Sequence, residues 1–292
     1  MKDQRKAYLF GILTVLLWST VASAFKISLR YMEPIQLLLY ACLSSIAVLA
    51  LVLMARGSLS QVFACSARQY LLSLRQGFLN PFLYYLILFK AYDLLPAQVA
   101  QPLNYTWALT LALLSIPLLK QKIQPREIVA GVICYLGVVT IASQGQMVSL
   151  NAFDPVGIFL ALASTIVWSL SWISGTRDER DPAASLLLAF LFGLPFILAT
   201  CLITSSLAVE DARGLLGAAY VGVFEMGITF VFWLKALKLS ENTARVGNLI
   251  FVSPFISLVL IHFMVGEEIL ASTFAGLILI VAGLMVQGST SS

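Results

Sequence analysis

The sequence predicts an all-α integral membrane protein, with ten transmembrane helices arranged as a five-plus-five inverted repeat. Three observations predict this. Apolar residues make up 60% of the chain and charged residues 11%, against roughly half and a quarter in soluble domains, and the mean hydropathy is +0.94. Ten segments approach the length of about 20 apolar residues that a helix needs to cross a bilayer. Finally, the chain echoes itself. Leu88-Phe89-Lys90-Ala91-Tyr92 is answered by Trp233-Leu234-Lys235-Ala236-Leu237, and the same offset of 145 residues (235 − 90) brings Gly77 onto Gly222, Asn80 onto Glu225 and Tyr84 onto Thr229. Five spans in each half, residues 1–148 and 149–292, oblige the second copy to enter the membrane from the opposite side. That arrangement is a mark of secondary transporters, whose substrate site lies where the halves meet.

The first span is predicted near 7–29. Lys2, Arg5 and Lys6 before it, and Ala22-Ser23-Ala24 within it, imitate a cleavable signal peptide. We read it as retained, because Leu17-Trp18-Ser19 pairs with Val167-Trp168-Ser169 in the other half. Span two, 34–55, opens at Glu33-Pro34 and span seven, 183–206, at Asp181-Pro182, each soon followed by three leucines. Spans three and eight, 73–94 and 214–237, carry the matched polar stripes. Span four is set at 96–118, span five at 126–144, span six at 155–175, span nine at 242–264 and span ten at 269–287. Ala130-Gly131 in span five answers Ala275-Gly276 in span ten. Pro34, Pro96, Pro125, Pro155 and Pro182 fall at or near span starts, where proline is tolerated.

Orientation follows from the basic residues. With the N-terminus in the cytoplasm, thirteen Lys and Arg fall on the inner side and four (Lys26, Arg30, Lys90 and Arg213) on the outer, leaving out Arg75 near a helix end. The asymmetry predicts both termini on the cytoplasmic side; the membrane we expect is the plasma membrane, a bacterial inner membrane. The net charge of +4 is therefore a topology signal and no sign of a nucleic-acid partner; the expected partners are membrane lipid and a small-molecule substrate.

Glu225 is the sharpest functional signal. It sits about eleven residues from either end of its span, and an ionised carboxylate at mid-bilayer costs roughly 2.5–3.5 kcal/mol. Apolar surroundings disfavour the charged form of a carboxyl, so Glu225 is a candidate to bind and release a proton or to pair with a substrate ammonium group. The alternative is a structural carboxyl bonded to a neighbouring helix. A polar stripe in lipid should face protein or water, which makes Asn80, Tyr84 and Thr229 candidates for a cavity wall, whereas the stripe glycines read as helix-packing sites. Trp18, Tyr105, Trp107 and Trp168 add mid-span aromatic faces that suit an amphipathic substrate or a cation. Gln98, Gln101 and Tyr105 share one face of span four, Asn248 lies in span nine, and Pro81, Pro102 and Pro254 free backbone groups at depth. Lys90 and Lys235 read as snorkelling residues, with a Lys90–Asp93 gating pair as the sharper idea.

A membrane enzyme would need a nucleophile with its base, or metal ligands. One histidine and four scattered cysteines supply neither, so no catalytic residue, cofactor or metal is expected. A channel would need a continuous polar pore, and the polar residues concentrate at mid-depth instead.

The second half also carries Leu237-Lys238-Leu239-Ser240, then Pro254, then Gly266-Glu267-Glu268, then Gly276 and Gly283. With the ten spans, this resembles the EamA family of the drug/metabolite transporter superfamily over nearly the whole chain. The first half departs from the pattern with Lys120-Gln121-Lys122 where an acidic residue is usual. Asn104-Tyr105-Thr106-Trp107 is similar to a segment of the YddG-type amino-acid exporters of that family. The resemblance implies a monomeric basket of ten helices around a central cavity lined mainly by spans 1, 3, 4, 6, 8 and 9. It also implies alternating access, with export of amino acids or similar small metabolites. A facilitator or importer without proton coupling is the open alternative.

Overall fold

A computed structural model describes residues 3–107, 110, 113–114, 117–118, 125–142, 153–175, 178–239, 249 and 252–288. Among these residues the regular structure is entirely helical. In chain order the α-helices are α1 (Gln4–Ser28), α2 (Pro34–Ala55), α3 (Ala67–Gly77), α4 (Tyr84–Leu94), α5 (Ala97–Tyr105), α6 (Pro125–Ala142), α7 (Pro155–Gly175), α8 (Pro182–Thr204), α9 (Ala212–Tyr220), α10 (Ile228–Leu239), α11 (Ser253–Leu260) and α12 (Ala271–Gly288). Four helical stretches, Gln4–Ser28, Pro34–Ala55, Pro182–Thr204 and Ala212–Trp233, are long and apolar enough to cross a membrane by length and composition.

Local chemistry sets the helix starts. The Asp3, Asp154, Asp181 and Asp211 carboxylates accept first-turn N–H groups of α1, α7, α8 and α9. Ser66 and Gln69 close a reciprocal capping box on α3, and Gln36 accepts from the Glu33 N–H at the start of α2. Each satisfies donors that a helix leaves without an internal partner. Pro34, Pro125, Pro155 and Pro182 each occupy the first helical position, as the sequence suggested, and Pro96 stands just before α5. The end of α2 is a six-residue closure. Gly57 adopts φ 62°, its N–H reaches Met54 O at 2.9 Å, and Ser58 N–H reaches Leu53 O at 2.9 Å, the bonding pattern of a glycine stop.

Two spans expected to be continuous are broken. Between α3 and α4 a wide π-helical turn covers Phe78–Leu83, with Asn80 outside helical geometry (φ −149°, ψ 113°) and a cis Asn80–Pro81 peptide. Between α9 and α10 a second π turn covers Val221–Glu225. The first break follows from Pro81, which has no N–H and crowds the preceding turn. The second contains no proline. Pro102 lies inside α5, which continues past it, and Pro254 falls in the first turn of α11.

Close backbone approach holds the bundle together. A Cβ on Gly77 would lie 2.2 Å from Ala189 O in α8, and one on Gly222 would lie 2.2 Å from Ala41 O in α2. A Cβ on Gly137 or Gly276 would lie 2.6 Å from the other's carbonyl, where α6 meets α12. Small residues at crossings are the packing currency of helices in lipid, where apolar side chains gain little from one another over lipid. Around these crossings α1 packs on α10 and α11, α2 on α8, and α4 and α5 on α7. Several buried serines and threonines bond back within their own helices, as Thr14 does to Phe10 O at 2.8 Å and Ser19 to Val15 O at 2.6 Å, and others bridge helices, as Ser45 does to Met226 O at 3.0 Å.

Candidate functional site

The crossings leave a central cavity of about 70 Å³. Its wall is built from repeating helical faces. From α1 come Trp18, Val21, Ala22 and Phe25; from α4, Tyr84, Leu88 and Tyr92; from α5, Gln101, Asn104 and Tyr105. Each set is spaced three or four residues apart, the separation that puts side chains on one helix face. Trp107, Trp168 from α7, and Glu225 at the end of the second π turn complete it.

The wall is mainly aromatic. Tyr84 and Trp168 lie 4.5 Å apart between ring centroids, Trp168 stands edge-on to Phe230 at 5.8 Å, and Trp18 approaches Phe230 at 6.1 Å and Trp233 at 5.7 Å. Among the described residues Glu225 is the single acidic side chain in this wall, and it is 8% exposed. The Tyr85 hydroxyl donates to its Oε1 at 3.1 Å. Behind the wall the Asn104 amide donates to Ser164 Oγ at 2.9 Å. The Trp18 indole N–H also faces the Glu225 carboxyl, and one buried wall atom, Gln101 Oε1, has no hydrogen-bond partner. It is an acceptor that a polar ligand or water can satisfy.

Seven predicted site residues converge here: Trp18, Tyr84, Gln101, Tyr105, Trp107, Trp168 and Glu225. Asn80 does not line the cavity. It sits in the π turn, with its Oδ1 buried and unpartnered. Thr229 is also absent from the wall, because its hydroxyl turns back to donate to Phe224 O on its own span. Asn248 lies outside the described residues. Sequence reasoning did not assign Tyr92, Val21, Ala22, Phe25, Leu88 or Asn104 to the wall. All six follow from extending a face already marked by Trp18, Tyr84 or Gln101 by three, four, seven or eight residues. Gln98, expected on the Gln101 face, points away and bonds to Glu268 O at 2.5 Å and Leu270 N at 3.0 Å. Lys90 pairs with Asp93 at 2.6 Å on the exposed face of α4, and Lys235 lies 5.2 Å from the Phe10 ring centroid. Among the described residues no group of three His, Cys, Asp or Glu is arranged to hold a metal ion.

An apolar helical bundle around an aromatic cavity is the build of a multi-pass membrane protein, and the comparisons place it among the transporters. The model of the EamA-like transporter family matches residues 5–143 and 155–288, and the chain belongs to that family. It is similar to an uncharacterized transporter of Clostridium kluyveri, 26% identical over 62% of this chain and 61% of the relative. It is also similar to the uncharacterized transporter YdeK of Bacillus subtilis, 30% identical over 44% and 47%. The chain thus spans about half to three fifths of these two relatives. An uncharacterized transporter of Archaeoglobus fulgidus is 24% identical over 95% of this chain and 96% of its own. A solved crystal structure covers 98% of this chain and 97% of its own with a TM-score of 0.67 at 21% identity, a likeness of fold.

Proposed function

We propose that this chain is a secondary transporter that exports amino acids or similar small amphipathic metabolites by alternating access. Its halves, residues 1–148 and 149–292, rock about the cavity, and Glu225 couples the movement to protons or recognises a cationic group. The observation that carries this reading is the position of Glu225. A carboxyl supplied by the second half sits in an aromatic cavity whose other walls include Trp18, Tyr84 and Gln101 of the first half.

Packing supports the inverted repeat. Adding 145 residues takes α3 to α9, α4 to α10, α2 to α8 and α6 to α12. The α3–α8 contact at Gly77 then corresponds to the α9–α2 side of the bundle, where Gly222 meets α2. The α4–α7 contact corresponds to α10–α1, and α6–α12 corresponds to itself. The π turn at Phe78–Leu83 likewise corresponds to the turn at Val221–Glu225. For the orientation, with termini in the cytoplasm of a plasma-membrane protein, the support is the thirteen-to-four distribution of basic residues. Export rests on the likeness of Asn104–Trp107 to amino-acid exporters.

The cavity, about 70 Å³, has room for several waters, since one needs roughly 10–15 Å³, but it is far below the roughly 300–1,000 Å³ of organic-ligand sites. A substrate of amino-acid size therefore requires the halves to part. The Tyr85–Glu225 hydrogen bond favours a second reading, an uncoupled facilitator in which Glu225 is structural. Counterflow in proteoliposomes preloaded with amino acids, polyamines or quaternary amines tests the class. Saturable exchange of one of these is expected, whereas a flux that rises linearly with concentration would overturn the carrier reading in favour of a channel.

A further inference from the structure

The α4–α5 turn is gripped from both ends by charges supplied from other parts of the chain. Pro96 stands at the N-cap of α5, and its side chain has no oxygen to accept the first helical N–H groups. The Glu267 carboxylate, 170 residues away, supplies them, accepting from Ala97 N at 2.9 Å and Gln98 N at 3.1 Å. Lys26 Nζ donates to Tyr92 O and Leu95 O, each at 2.7 Å, at the end of α4. Each charge has the sign that its helix end favours. Four residues past Lys26, Arg30 donates to Val265 O at 2.6 Å. Gly266 then turns with φ 81°, which delivers Glu267 to α5. The Gln98 amide closes the loop on Glu268 O and Leu270 N. Phe25 and Tyr92, beside these contacts, line the cavity.

The inner end has its own ties, from Arg75 to Ser174 Oγ, Gln76 to Ser171 O and Arg180 to Ser73 Oγ, but the 145-residue offset does not repeat the charges of the outer cluster there. It carries Glu267 to Lys122, Lys26 to Ser171 and Arg30 to Gly175. A lysine cannot accept an N–H, and a serine or glycine cannot replace a cation. We infer that Glu267, Lys26, Arg30 and Gln98 form a lock that holds the outer end of the transport pathway closed, and that Glu267 must release α5 before the cavity opens outward. This rests on the alternating-access reading above.

The test uses the full-length protein with Cys42, Cys65, Cys134 and Cys201 changed to alanine and a reporter thiol introduced by Ala22→Cys in the cavity wall. A membrane-impermeant methanethiosulfonate is applied from outside to intact cells and from inside to inverted vesicles. Glu267→Ala should speed outside labelling by roughly five- to tenfold, the population shift expected from losing a helix cap. Gln98→Ala leaves both caps on Glu267 in place and should speed it by a smaller factor, which guards against a variant that merely misfolds. Unchanged outside rates in both variants, with inside labelling intact, would overturn the lock and leave alternating access standing. A thiol at position 22 that reacts from neither side in any variant would overturn alternating access, and the lock with it.

Discussion

The Tyr85 hydroxyl donates to the Glu225 carboxyl at 3.1 Å, and both side chains are buried. The bond joins α4 to the end of the π turn that precedes α10. A carboxyl held by a phenol and an indole N–H keeps capacity for further partners, since it offers about four acceptor positions. Tyr85→Phe should therefore leave the protein folded while changing how readily Glu225 exchanges its proton. The expected outcome is retained saturable transport with a displaced pH profile, measured as initial uptake rate across pH. A profile identical to the parent's would separate Tyr85 from coupling.

Trp168 tests the aromatic wall. Its ring lies 4.5 Å from Tyr84 between centroids. If it presents its face to a cationic or amphipathic substrate, Trp168→Ala should weaken apparent affinity by roughly fivefold, equivalent to about 1 kcal/mol. Trp168→Phe should recover part of that loss. The check is the half-saturating concentration in counterflow, with thermal stability measured alongside.

Glycine positions separate packing from backbone strain. Gly222→Val would drive a side chain into Ala41 O and Ser44 Cβ and should cost about 3 kcal/mol of stability, the upper end for overpacking. Gly57 has open space around it but φ 62°. Gly57→Ala should cost only about 1 kcal/mol, through the left-handed backbone alone. Thermal denaturation in detergent ranks the two, and a reversed order would contradict the α2 crossing.

The loop before α8 carries a pH-dependent contribution. Arg180 donates to Asp178 at 2.6 and 2.8 Å and to Ser73 Oγ at 2.8 Å, tying the loop to α3. Burial works to raise the Asp178 carboxyl, but the hydrogen bonds from Arg180 and Ser185 outweigh it and hold the group below its ordinary value. A depressed carboxyl contributes stability above its unfolded value, near 4, and loses that contribution as the pH falls through its folded value. Arg180→Met should destabilise by roughly 1 kcal/mol at pH 7, the scale of a solvent-screened pair, because the pair is only part-buried. The gap from the parent should close below about pH 4, as read from melting temperatures across pH.

Much of this architecture was legible because lipid enforces simple rules. The proline-led starts of α2, α6, α7 and α8 agree with the predicted spans to within one residue. Gly77 and Gly222, read as packing sites, meet neighbouring backbone. Seven wall residues were identifiable because Trp18, Tyr84 and Glu225 are costly in lipid unless they face a cavity. What escaped depends on local rotation and on partners distant in sequence. Thr229 shares the period of the polar stripe, yet its hydroxyl bonds back to Phe224. Gln98 shares a predicted face with Gln101, but the turn at Pro96 swings it toward Glu268. The π turn at Val221–Glu225 contains no proline, unlike the turn at Pro81, so no breaker in the sequence announced it. The capping of α5 by Glu267 joins residues 170 apart, and no local pattern encodes it.

The most direct test of the central claim is uptake in proteoliposomes of a labelled panel of amino acids, polyamines and quaternary amines, by the parent and by Glu225→Gln, with and without an imposed pH gradient. The account predicts saturable uptake of one class that the gradient accelerates in the parent, and no acceleration in the variant. Equal acceleration of both proteins by the gradient would contradict it.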